Sequence, residues 1–277
     1  MRMGRAAARS AGPTTLLSLL LLSCAHGFRG PLPDPAQLWD QARAAHRLPE
    51  SLSAEAKAFV DAPENGGRYA LEIAVQKPNS LRIEALTPLG DPAAVLIAHE
   101  GKFALLDLRS NVYYRGPSTP ENLSRLLPAP LRDDELVALL TGGIPELAFA
   151  EPVSVHNDGG DLRLTLITRP RGCPPAASGQ PAQRLFVQEV LLGADLRVKE
   201  VRREVLTGAQ PELLWSVRLE DHDGSSGQQV PRLLHLSVPA RHTEIDLSLR
   251  DVLVGKPPPS RAFALLPPPG VPVRDLP

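Results

Sequence analysis

The sequence predicts a mainly β fold: a single strongly curved antiparallel sheet, an incomplete barrel of about 11 strands, with short helices covering its concave face. Three observations lead there. After Ser51 apolar and polar residues alternate along most of the chain, the period of a strand with one buried face. The alternating runs are separated by turn chemistry, such as PENGG (Pro63–Gly67) and HNDGGD (His156–Asp161). Thirty prolines in 277 residues, about twice the usual share, favour turns and leave room for few long helices.

At the start of the chain, Arg2, Arg5 and Arg9 precede an apolar run, Thr14–Ser23. That run is too short for the ~20 residues a bilayer-crossing helix needs, and it reads as the core of an export signal. It ends in Leu21-Leu22-Ser23-Cys24, which resembles the bacterial lipobox. The resemblance implies a lipoprotein signal peptide over 1–23 and a diacylated Cys24 as the new N-terminus. Ser23-Cys24-Ala25 also suits a plain secretory signal cut after Ala25. Residues 24–35 then form the lipidated terminus and a Gly/Pro-rich tether, and 36–277 form the β domain.

DPAQLWDQARAAHRL reads as one short helix, with Asp34 as N-cap, Pro35 in the first turn, and Leu38, Ala42 and Ala45 on one side. Strands follow. Leu81, Ile83 and Ala85 alternate with Arg82 and Glu84, and then comes the turn TPLGD, whose tip carries Leu89 where a polar residue is usual. Two helices interrupt the strands. Thr119-Pro120 opens the first, with Leu123, Leu126 and Leu127 on one face. In the second, DDELVALLTGG, acids sit at the positive end, Leu136, Leu139 and Leu140 share a side, and Gly142-Gly143 is the stop. Inserted in an antiparallel sheet, both must turn their leucines to its apolar face, covering a groove or filling a core. Alternation resumes in DLRLTLIT, ELLWSVRLED and TEIDLSLRD. The charges of LRVKEVRREVL (Leu196–Leu206) read as the solvent face of a strand, and RAFALLPPPGVPVRDLP as a last strand-like piece with a proline-rich end.

Composition excludes several functions. Once the signal is removed, 27 basic residues face 31 acidic ones, so there is no basic field for nucleic acid. The seven histidines show no HExxH spacing, and Cys173, in the Pro/Gly/Ser stretch Arg169–Pro181, cannot by itself build a cysteine-rich zinc site. That cysteine either pairs with another chain or is simply tolerated in a loop. EDHDG (Glu220–Gly224) reads as a solvated hairpin tip. No GxSxG or SxxK appears, so the expectation is a protein that is not an enzyme and needs no cofactor or metal.

The lipobox, the strands around TPLG and the helix pair TPENLSRLL…DDELVALLTGGIP together resemble the LolA/LolB-like lipoprotein-carrier superfamily, most of all the LolB receptors and their uncharacterised lipoprotein relatives. The likeness is clearest over Ser51–Pro145, and FALLPPPGVPV is similar to the family's closing strand. The resemblance implies an incomplete barrel whose apolar cavity accepts lipoprotein acyl chains. It also implies a place on the periplasmic side of the bacterial outer membrane, and partners that are acylated lipoproteins and a periplasmic carrier. Leu89 matches the protruding leucine that LolB needs for membrane insertion; in the competing reading it folds back onto the sheet. Expected cavity residues are Ile83, Val95, Ile97, Leu105, Leu126, Leu136 and Leu139. An alternative to the receptor is a structural or interaction lipoprotein of an envelope assembly, using the same fold with a filled core.

Overall fold

The structure is a computed structural model that describes residues 28–45, 48–63, 66–168, 185–207, 210–223 and 230–277. Cys24 and Cys173, and with them the expectations they carry, lie outside these residues.

Helix α1 (Pro35–Ala45) comes first and lies against the far edge of the sheet. Asp34 caps it as expected, its Oδ1 accepting from the backbone N–H groups of Ala36 and Gln37 at 3.0 and 3.1 Å. A meander follows: β1 (Ser51–Asp61), β2 (Gly67–Gln76), β3 (Ser80–Leu86), β4 (Pro92–His99), β5 (Lys102–Asp107) and β6 (Val112–Pro117). After the two short helices α2 (Pro120–Leu123) and α3 (Asp133–Leu140) a second meander begins. It comprises β7 (Ala150–Asp158), β8 (Asp161–Thr168), β9 (Leu185–Leu192), β10 (Val198–Leu206), β11 (Pro211–Asp223), β12 (Val230–Val238) and β13 (Thr243–Val254). A three-residue strand, β14 (Val273–Asp275), ends the chain.

All strands form one open, curved sheet in the order β14-β6-β5-β4-β3-β2-β1-β13-β12-β11-β10-β9-β8-β7. The two meanders join where β1 pairs antiparallel with β13, Ala58 opposite Leu247. Among the described strands only β14 runs parallel to its neighbour, β6.

This order explains the helices. β6 and β7 are consecutive in the chain yet lie near opposite edges, so residues 118–149 must cross the whole sheet. The crossing passes over the inner face, and Leu136, Val137, Leu139 and Leu140 of α3 are buried there in the main core. The C-cap glycine serves α3 as expected: Gly142 takes φ +81°, and the N–H of Gly143 reaches the carbonyl of Ala138 at 2.7 Å. Helix α2 is shorter than the leucine pattern predicts. Thr119 caps it through the N–H of Asn122 at 3.3 Å, but the helix ends at Leu123, and Leu126 packs from the loop beyond.

The described residues form 14 strands where about 11 were expected, and two segments depart from simple alternation. The β4 segment AAVLIA carries no alternation because both of its faces are covered: Ala94, Leu96 and Ala98 enter the main core, whereas Val95 and Ile97 meet Phe263 on the outer face. The chain's end differs too. Residues 260–263, read as part of a strand, form a 3-10 turn, and the strand pairing occurs later, inside the proline-rich tail.

That tail is a strap over the outer face. Phe263 stacks on His99 with ring centroids 5.6 Å apart, Arg82 donates to the carbonyl of Ala262 at 3.0 Å, and Tyr113 donates its hydroxyl to the carbonyl of Leu265 at 2.7 Å. Burial holds the Tyr113 hydroxyl above its ordinary pKa of 10.0, with Arg115 opposing. A folded pKa above the unfolded one gives stability that is complete below pH ~10 and is lost as pH rises through the folded value. Tyr113→Phe is expected to cost about 0.5–1.5 kcal/mol at neutral pH, because the Leu265 carbonyl loses its donor. It should also flatten the alkaline decline; denaturant melts at neutral and alkaline pH check both.

Candidate functional site

The second meander turns a different set of side chains inward. Register fixes them: Leu166 lies opposite Gln188, Gln188 opposite Arg203, and Arg203 opposite Trp215. Arg203 is therefore an inner-face residue between Val201 and Val205, only 7% exposed. A buried guanidinium needs compensation. Its Nε and Nη2 donate to Gln188 Oε1 at 3.2 and 2.5 Å, its Nη1 meets Glu135 Oε1 at 3.0 Å, and its guanidinium lies 5.1 Å from the ring centre of Trp215. Gln188 in turn donates to the carbonyl of Pro145 at 3.0 Å. Glu135 Oε2 accepts the backbone N–H of Arg132 at 2.9 Å, capping α3. Burial pulls the Arg203 pKa below its ordinary value, and Glu135 opposes it. Burial likewise raises the Asp134 carboxyl, against the attraction of Arg132. These contacts clamp the crossing helix to the sheet.

Beside the clamp the inner face stays open. A cavity of about 740 Å³ lies between the crossing segment and strands β8–β12, within the ~300–1,000 Å³ typical of small-molecule sites. Its apolar wall includes Phe149, Phe186, Leu214, Trp215 and Val238, and its polar wall is Arg132, Glu135, Arg203 and Arg241. The chain has few aromatics, and three of them are here. Phe149 is 68% exposed, at φ +60°. A smaller cavity of about 310 Å³ next to α1 shares Leu147 and Phe149 with it.

None of the seven expected cavity residues lines this space. Ile83, Leu105, Leu136 and Leu139 do come together on the inner face, with Leu126 half-buried against them, but as close-packed core under α3. Val95 and Ile97 lie on the opposite face, beneath the strap. The meander β1–β6 is thus filled, and the opening belongs to the other half of the sheet.

The turn at Leu89 is as exposed as its sequence is unusual. Gly90 N–H bonds the Thr87 carbonyl at 2.9 Å, Thr87 N–H bonds the Asp91 carbonyl at 2.7 Å, and Asp91 N–H reaches Thr87 Oγ1 at 3.2 Å. Gly90, at φ +90°, supplies the reversal that a side chain would resist. Pro88 and Leu89 therefore sit at the tip of a tied turn, and Leu89 is 91% exposed; it does not fold back onto the sheet. Two more apolar side chains protrude, one from the β5–β6 hairpin and one from the strap. Leu108 lies in the β5–β6 turn, its N–H tied to the Ala93 carbonyl at 3.0 Å. Leu266 is 83% exposed in the loop 266–271, which is closed at its base where Tyr113 bonds the carbonyls of Leu265 and Pro272.

Other regions offer less. A groove of about 740 Å³ crosses the outer face over β2, β1, β13, β12 and β11, but Lys57, Arg68, Arg218, Glu220 and Asp246 surround its exposed Phe59 and Leu233. His235, on that face, lies between Glu244 and Asp246 at 3.1 and 2.5 Å. Among the described residues no cluster of His, Cys, Asp and Glu could hold a metal, and no helix is long and apolar enough to cross a membrane.

No protein-family model matches the sequence, and no curated protein sequence does. Solved structures do match. A LolA superfamily protein from Nitrosomonas europaea superposes with a TM-score of 0.54 at 12% identity, over 84% of this chain and 99% of that one. The fold is that of the LolA superfamily. A domain from Vibrio parahaemolyticus described as an outer membrane lipoprotein-sorting protein gives 0.57 at 10% identity, covering 82% of this chain and 95% of its own. A DUF1329 family protein from Desulfovibrio piger gives 0.58 at 11%, covering 84% and 98%. At such identities the likeness is one of architecture, and the LolA-like sheet is what these chains share.

Proposed function

We propose that this protein is a lipid-anchored receptor of the bacterial envelope, one that takes acyl chains into its inner cavity and passes acylated lipoproteins to the outer membrane. The observation that carries this reading is the 740 Å³ opening walled by Phe149, Phe186, Trp215, Leu214 and Val238, in a LolA-like sheet whose other half is solid. Apolar walls of that size favour an alkyl ligand, at ~25 cal/mol per Å² removed from water. Glu135 is spent on Arg203 and on the backbone N–H of Arg132, which leaves it poorly suited to acid–base chemistry, so the reading is of a binding protein without catalysis. In this reading Cys24 carries the anchor, a periplasmic carrier supplies the cargo, and Leu89, joined by Leu108 and Leu266, touches the bilayer at handover.

The test is titration of the chain from Ala25 onward, which contains every residue of the described fold, with a fluorescent diacyl probe. Saturable binding is expected, displaced by an acylated lipoprotein peptide and left intact by the same peptide without acyl chains. A folded protein that binds no probe would overturn the reading. It would favour an interaction lipoprotein instead, for which the filled interior under α3 is the supporting observation.

A further inference from the structure

The cavity's charge is lopsided. Three arginines, Arg132, Arg203 and Arg241, line it against one carboxylate, Glu135. Arg203 and Glu135 neutralise each other in the buried clamp. Arg132 is 42% exposed and shares one nitrogen, Nη2, between Asp134 and the Glu146 carbonyl, both at 3.0 Å; its Nη1 has no partner among the described residues. Arg241, in the exposed turn between β12 and β13, makes no side-chain hydrogen bond or ion pair with any described residue. Even with Asp134 counted, one cation is left over at a cavity whose remaining wall is almost entirely apolar.

We infer that the cavity selects amphiphiles with an anionic head, a carboxylate or a phosphate, whose charge is met by Arg241 and the outer side of Arg132 while the alkyl tail lies along Phe186, Leu214 and Val238. This rests on the acyl-binding reading and narrows it. A neutral long chain satisfies the apolar wall but leaves the excess cation unanswered. A guanidinium fork pairs with two oxygens of either head. Inorganic phosphate alone has no tail to bury, so it gains only a half-solvated ion pair.

The experiment compares parinarate, a naturally fluorescent fatty acid, with its methyl ester, which has the same chain and no charge, on the chain from Ala25 onward at a pH where the acid is ionised. The acid is expected to bind about five- to tenfold more tightly than the ester, the range of a partly exposed charged contact. Arg241→Gln should bring the two affinities together by weakening the acid alone, and Arg241→Lys should retain most of the difference. Long-chain alkyl phosphate should displace parinarate, and inorganic phosphate should not. Equal binding of acid and ester to the unaltered protein overturns head selection while leaving acyl binding intact. Binding of neither overturns the acyl reading itself. A preference unchanged in Arg241→Gln removes that residue from the site.

Discussion

Glu135→Leu is expected to destabilise the protein by about 3–5 kcal/mol, because it leaves the buried guanidinium of Arg203 without a counter-charge. Glu135 and Arg203 are 3% and 7% exposed, and the two meet at 3.0 Å. The opposite substitution should cost less. In Arg203→Met the carboxylate of Glu135 keeps the Arg132 backbone N–H at 2.9 Å and the Arg132 Nε at 3.7 Å, so its charge is not stranded. The double variant Glu135→Leu/Arg203→Met should recover much of the loss, since an apolar pair of similar volume often replaces a buried ion pair at little cost. Full recovery is not expected, because Gln188 Oε1 loses its two bonds from Arg203 and the start of α3 loses its cap. Urea melts of the four proteins give the coupling directly. Additive losses would mean that α3 is held by its leucines and that the ion pair is incidental. A coupling of about 2 kcal/mol or more would establish the clamp as the fixed wall of the cavity.

Much of the architecture was legible because it depends on local rules. Alternation, glycine turns and the caps at Asp34 and Thr119 act over a few residues, and they predict the sheet and the places where helices break it. The topology adds what local rules cannot: β6 and β7 lie near opposite edges, so the helices must cross the inner face. The cavity was not legible. A period of two assigns a residue to a face, and Ile83, Leu105, Leu136 and Leu139 do share one, but whether that face is filled depends on how far α3 reaches across it. Arg203 carried a readable signal that charge concealed. It stands at the inward position of Val201-x-Arg203-x-Val205, where an alternation-only reading places it inside and an average over the charged run places it outside. Val95 and Ile97 teach the converse. In AAVLIA both faces are apolar because a strap from the far end of the chain covers the second one, and no window around β4 contains Phe263.

The other large effect is expected at the bilayer rather than in the fold. Leu89→Glu should leave melting temperature and probe binding unchanged, because a side chain 91% exposed at the tip of a tied turn contributes nothing to the core. In a reconstituted transfer from carrier to outer-membrane vesicles, the same substitution should slow delivery about tenfold or more, since burying one leucine in lipid is worth ~1.5–3 kcal/mol and a carboxylate opposes insertion. That energy is too small to recruit a protein from solution. On a chain tethered through Cys24, as proposed, it would act at high local concentration and would then suffice to bias the moment of handover. Leu266 extends the argument. It comes from a separate segment, is 83% exposed, and its loop is held to β6 through Tyr113, beside the hairpin whose tip carries Leu108. If these tips enter lipid together, Leu89→Glu/Leu266→Glu should deepen the defect to about a hundredfold, the product of two independent losses. A fluid bilayer accepts protruding side chains at whatever spacing the loops impose, whereas a folded partner would need a pocket matched to each. The partner is therefore separable by experiment. Delivery lost equally to vesicles of every composition, with the carrier still binding, places the tips in lipid. Delivery unimpaired in both variants means that Leu89 has no part in transfer, and carrier binding lost with them would make the same surface a protein contact.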